Sequence, residues 1–112
     1  RDNTPREPSA EIRKRVERAR ERMTKRYAGT GIYANGQLTP AMIREYCVTD
    51  ERADSLLKSA FERLGLSARG YDRILRLAKT IADMDTCDII GEKHIAQAIQ
   101  LRSLDRKYWQ TV

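Results

Sequence analysis

Aromatic residues are scarce in this chain, with one tryptophan, one phenylalanine and five tyrosines among 112 residues. There are two cysteines, Cys47 and Cys87, and a single histidine, His94. No CxxC or HxxxH spacing exists, which excludes the usual zinc sites and leaves no metal ligand set. Two thiols allow one disulfide by arithmetic, but in a polar helical domain they point to a reducing, cytoplasmic setting. No stretch approaches the roughly eighteen apolar residues of a membrane span. The opening RDNTPREP lacks the apolar run of a secretory signal.

Catalytic signatures are missing as well. There is no GxxxxGK[ST] phosphate loop, and Gly29, Gly31 and Gly36 do not make GxGxxG, because residue 34 is alanine and no strand precedes them. His94 has no serine or cysteine at catalytic spacing. Its place in the first turn of the last helix suggests a surface or capping role. Asp83, Asp85 and Asp88 resemble a carboxylate cluster, but they straddle a helix end and lack the glycine and glutamate of a calcium loop. They read as a solvated turn. No self-contained active site emerges, so the chain alone is not expected to be an enzyme.

What the sequence has is charge. Charged residues make up 34% of the chain and the formal net charge is +6, carried mostly by arginine. That balance favours an anionic partner: nucleic acid, nucleotide phosphates or an acidic protein surface. The length suits one domain with one modest core.

Hydrophobic periodicity predicts an all-α fold, a small bundle of about five helices. Residues 1–8, with Pro5 and Pro8 among charges, read as a linker from an upstream domain, and 9–112 as the helical domain. Ser9 is the natural N-cap of "SAEIRKRVERARERMTKRY", where Ile12, Val16, Ala19, Met23 and Tyr27 form a narrow apolar stripe. "AGTGIYANGQL" (28–38) is a loop. Thr39-Pro40 opens a short helix. Thr49 caps the next, with Ala53, Leu56, Leu57, Ala60, Phe61 and Leu64 inward and Gly65 at its end. Ser67 caps a helix that runs to about Met84. A turn follows, with a short extended piece at Ile89-Ile90, and a last helix spans about Glu92 to Leu104 with Ile95, Ala98 and Ile99 inward.

The helix after Ser67 carries the clearest functional signal. Arg69, Arg73 and Arg76 fall four and three residues apart, along one face. Tyr71, Ile74, Leu75, Ala78, Ile81 and Ala82 take the opposite face. An arginine in a first turn opposes the helix dipole, and it is better accounted for if it reaches an anion beside the free amides there. Guanidinium also matches phosphate oxygens two at a time.

"LGLSARGYDRILRLAKTIAD" and "IGEKHIAQAIQLRSLDRKYW" resemble the C-terminal domain of magnesium-chelatase-related AAA+ ATPases, most closely the bacterial ComM (YifB) competence branch. "SAEIRKRVERARERMTKRY" and "GTGIYANGQL" resemble the segment preceding it in the same family. The likeness covers residues 9 to about 109. Gly70 and Gly36 stand where the family pattern has alanine, Met23 where it has glutamine and Tyr108 where it has leucine. Gly70 loosens the first turn by up to about 1 kcal/mol relative to alanine.

The resemblance implies a helical lid separated from an upstream nucleotide-binding core. The phosphate loop, the acidic magnesium-binding motif and the arginine finger would all belong to that core. Arg69 is the implied sensor 2 arginine, which touches the γ-phosphate of ATP, in the chelatase-like branch that of a neighbouring subunit. Arg73 and Arg76 would be supporting phosphate or interface contacts. The implied cofactors are ATP and Mg2+ in the full-length parent and none in this chain. The implied partners are the core, neighbouring subunits in a ring, a hexamer, and DNA, for a motor that drives branch migration. The lid of a magnesium chelatase subunit is an alternative within the superfamily. A different class of reading is a stand-alone DNA-binding domain using Arg13, Lys14, Arg18 and Arg22. A third is a scaffold whose Leu104, Tyr108 and Trp109 dock on a partner or fold back on the domain.

Overall fold

The computed structural model describes the backbone of residues 6–111 and the side chains of residues 9–102. Within that range the chain forms five α-helices: α1 (Arg6–Arg26), α2 (Pro40–Tyr46), α3 (Glu51–Leu64), α4 (Ala68–Met84) and α5 (Glu92–Thr111). A single 3-10 turn, Asn35–Gln37, lies in the predicted 28–38 loop. The all-α expectation is met. Leu104, Tyr108 and Trp109 lie outside the residues whose side chains are described.

The start signals act mostly where the sequence puts them. Thr39 accepts a hydrogen bond from the Met42 amide and Pro40 takes the first helical position, where its missing N–H costs nothing. Ser67 Oγ accepts from the Gly70 amide at 3.0 Å. Gly65 ends α3 with φ 61°. Three boundaries differ from expectation. Helix α1 begins at Arg6 instead of after Ser9, because Pro8 falls in the first turn, where amides have no intrahelical partner to lose. Asp50, not Thr49, caps α3, accepting from the Ala53 amide at 2.8 Å. Thr49 pairs instead with Ile90 in an isolated parallel bridge, the short extended piece expected there. The last helix also continues to Thr111, beyond the expected Leu104.

Helix α4 ends in a Schellman arrangement. The Cys87 amide donates to the Ala82 carbonyl at 2.8 Å and the Thr86 amide to that of Asp83 at 3.0 Å. This requires a left-handed residue between them. Thr86 takes that place with φ 56°, a position where a β-branched residue is strained.

The central helix is α4, which packs against α1, α2, the 3-10 turn and α5, while α3 packs on α5. Its inward face is the predicted one, with Ile74, Leu75, Ala78, Ile81 and Ala82 buried. Ala53, Ala78, Ala82 and Ala98 are fully buried, and such small residues let neighbouring helices approach closely. Leu57, Ile90, Ile95 and Tyr27 fill the remaining core. Two expectations for α3 fail. Phe61 is 41% and Leu64 45% exposed, because α3 meets the bundle along one side only and its last turn passes the edge. Phe61 rests edge-on against Tyr71, with ring centroids 5.6 Å apart. Similarly, the α1 stripe is buried only in its second half: Ala19 and Tyr27 are covered, whereas Ile12 and Val16 face outward. No helix among the described residues is long and apolar enough to cross a membrane.

Candidate functional site

The arginine face of α4 starts at its capped end. Arg69 lies in the first turn, exposed to solvent. The row then runs down the same face of the helix into a cleft. Arg73 and Arg76 line a cleft of about 520 Å³ together with Ile74, Leu77 and Thr80 of α4, Leu101 and Arg102 of α5 and Gly36 of the 3-10 turn. Arg69 does not line it. The three arginines of the sequence motif are thus divided, one at the helix start and two on the cleft.

Arg102, a residue the sequence reading passed over, completes the cleft. Its Nη2 lies 3.3 Å from where a Cβ on Gly70 would stand. Gly70 is buried, and its bare backbone is what lets the α5 guanidinium come down onto the first turn of α4. The glycine that looked like a weakness in the helix is a close-approach position. No periodicity argument finds this contact, because it joins residues on two helices.

A second polar assembly fixes α1 onto α4. Asp83 has no solvent exposure and sits at its centre. Arg26 donates to both its oxygens, with 2.9 Å from Nη1 to Oδ2, Arg22 Nε donates at 3.2 Å and Asn35 Nδ2 at 2.9 Å. Tyr27 Oη in turn donates to Asn35 Oδ1. Burial alone would push the Asp83 carboxyl up, but hydrogen bonds from Arg26, Asn35 and Arg22 outweigh it and hold the carboxyl below its ordinary value. The expected solvated turn is therefore corrected at Asp83, which is in the last turn of α4 and faces inward. Asp85 is mostly covered and pairs with Arg15 at 2.9 Å, while Asp88 remains exposed.

His94 is buried, against the surface alternative, while the capping alternative holds. Its Nδ1 accepts from the Gly91 amide at 2.9 Å and its Nε2 lies 3.1 Å from Asp85 Oδ2. With Nδ1 accepting, the proton belongs on Nε2, pointing at the carboxylate. Lys79 is also buried and donates to the Asp88 carbonyl at 3.0 Å. Burial lowers its pKa. Both cysteines are free thiols, and burial pushes that of Cys47 up to about 11.

Among the candidate DNA contacts on α1, Arg13, Lys14 and Arg18 are exposed. Arg22 is not available in the same way, since it bridges Asp83 and Asp88. Hydrogen bonds donated to Asp88 and Asp83 hold its pKa above the ordinary guanidinium value, in spite of partial burial.

Relatives of known sequence share this domain. The protein YifB of Escherichia coli strain K12 is 38% identical over 102 residues, covering 91% of this chain and 19% of YifB. Competence protein ComM of Haemophilus influenzae is 33% identical over 100 residues, 89% of this chain and 19% of ComM. A Mycobacterium tuberculosis protein, Rv2897c, is 31% identical over 96 residues, 86% of this chain and 19% of its own length. The chain thus spans about a fifth of the length of these relatives. No solved structure matches it. The family model for the C-terminal part of magnesium chelatase subunit ChlI matches residues 6–102, and the chain belongs to that family.

Proposed function

We propose that this chain is the lid of a magnesium-chelatase-like AAA+ ATPase and that Arg69 is its sensor 2 arginine. The observation that carries the reading is the position of Arg69, exposed in the first turn of α4 behind the Ser67 cap and outside the cleft that takes Arg73 and Arg76. A guanidinium there is free to reach a phosphate on another domain or subunit. Its role is to stabilise charge on the transferring phosphoryl oxygens, while the core holds the nucleotide and the attacking water. This reading assigns magnesium to the core. One relative is named as a competence protein, and this reading takes the full-length parent to be a DNA-dependent motor. A ring of subunits would then bring the lid to a neighbour's ATP.

The experiment is ATP turnover by the full-length parent, wild type against Arg69→Ala, with and without branched DNA. Loss of turnover with nucleotide binding retained is the expected result. An unchanged rate refutes the sensor role.

One observation favours a second reading, non-specific DNA binding through α1. Arg13, Lys14 and Arg18 are exposed on one helix. Losing Arg22 to internal ion pairs leaves three cations for a phosphate backbone, which predicts weak binding that falls steeply with salt. A mobility shift that persists in high salt would contradict it.

A further inference from the structure

The cleft between α4 and α5 has a chemistry that a phosphate sensor does not need. Its rim is cationic, with Arg73 and Arg76 from one helix and Arg102 from the other. Its floor is aliphatic: Ile74 is buried, but Leu101 is 48% exposed and lies beside the guanidiniums. Among the described residues, no carboxylate lies within ion-pair distance of Arg76 or Arg102. An exposed leucine set among arginines matches the composition of protein interfaces, which are enriched in arginine around apolar anchors.

We propose that this cleft is a docking site for an acidic, aliphatic segment of a protein partner. Carboxylates of the segment pair with Arg76 and Arg102, and a leucine-like side chain between them covers Leu101 and Leu77. Charge complementarity selects an acidic occupant. The floor selects peptide over nucleic acid, because grooves for single strands present aromatic rings for base stacking and none of the described residues that line this cleft is aromatic. A bare phosphate group would leave the aliphatic floor unused. The cleft holds a few side chains, so it takes a short linear segment and not a folded face.

Gly70 has a specific part in this site. By leaving room for Arg102 Nη2 over the first turn of α4, it sets where the α5 guanidinium stands relative to Arg73 and Arg76. The proposal does not rest on the sensor role of Arg69, which lies outside the cleft.

The test uses the 112-residue chain and a short fluorescein-labelled peptide built on Leu-Glu-Glu repeats, followed by fluorescence anisotropy at low salt. Binding should weaken by about tenfold in Arg76→Gln and again in Arg102→Gln, as expected for losing charge-assisted contacts. It should also weaken when serine replaces leucine in the peptide. Leu101→Glu, at an exposed position that the fold tolerates, should abolish binding even if either arginine variant folds poorly. The proposal is overturned if the peptide does not bind, or if Leu101→Glu binds it as well as wild type does. It is also overturned if oligo(dT) or inorganic triphosphate competes for the cleft and binds more tightly than the peptide. Because the readout is peptide binding and the residues exclude Arg69, failure here leaves the ATPase reading standing, and failure of that reading leaves this one.

Discussion

Replacing Asp83 with asparagine is the sharpest perturbation of the fold. Asp83 is fully buried, and it is the common acceptor for Arg26, Arg22 and Asn35. An amide of nearly the same shape keeps the packing but removes the negative charge and turns one acceptor into a donor. Arg26 is left with a side chain only 16% exposed and Arg22 with one 25% exposed. Breaking a buried ion pair by removing one partner costs about 3–5 kcal/mol. Both arginines have a route to water and Arg22 keeps Asp88, so the lower end, about 3 kcal/mol, is the expected loss. For a domain of this size that lowers Tm by roughly 12 °C or more.

The pH dependence gives an independent check on the same residue. The folded carboxyl is held below its ordinary value, so its stabilising contribution is fully present above the ordinary carboxylate pKa, near pH 4. That contribution is lost as pH falls through the depressed folded value. Urea unfolding of wild type and Asp83→Asn, followed by circular dichroism, should therefore show a constant gap from about pH 5 to 8 that closes in stronger acid. The double variant Arg26→Met, Asp83→Asn should lose less than the sum of the single losses, since the two groups share one interaction. A single-variant loss below about 1 kcal/mol, the range of an exposed pair, would refute the reasoning.

Thr86→Gly should stabilise the chain by about 1 kcal/mol, because φ 56° is unfavourable for threonine and free for glycine; a lower urea midpoint would contradict this. Gly70→Ala should gain less than the roughly 1 kcal/mol that alanine offers inside a helix, since the new methyl meets Arg102 Nη2 at 3.3 Å. Its signature is a weaker response of the cleft peptide with an unchanged or raised Tm. Cys87 should react with iodoacetamide well before Cys47, whose buried thiol is held near 11. Mass spectrometry of the native chain should find a single rapid alkylation, and a second only in denaturant.

The elements of this fold were legible in the sequence because their signals are local. A serine cap, a threonine-proline pair and a helix-ending glycine each act within four residues, and each works as read. The inward face of α4 follows from spacing alone. Two of the three missed boundaries also have local causes, an early proline that a first turn tolerates and an aspartate that outcompetes its neighbouring threonine for the cap.

Partners that are distant in sequence stayed hidden. Asp83 looked like one of three acidic residues in a turn, and nothing near it announces that Arg22 and Arg26, on another helix, will enclose it. What distinguishes Asp83 from Asp88 is one turn of helix: Asp83 continues the stripe of Ile74, Leu75, Ala78 and Ala82 at helical spacing, so it must face the core. A carboxylate on a buried stripe demands cations, and α1 carries a surplus of them. Extending the stripe by one residue would have predicted the clamp. The cleft has no comparable signal. Arg102 lies in a run with ordinary surface composition, and its place beside Arg73 and Arg76 depends on how α5 crosses α4. The missing side chain of Gly70 leaves room for Arg102 Nη2 at that crossing, so this glycine is the residue through which the arginine face acquires its third member.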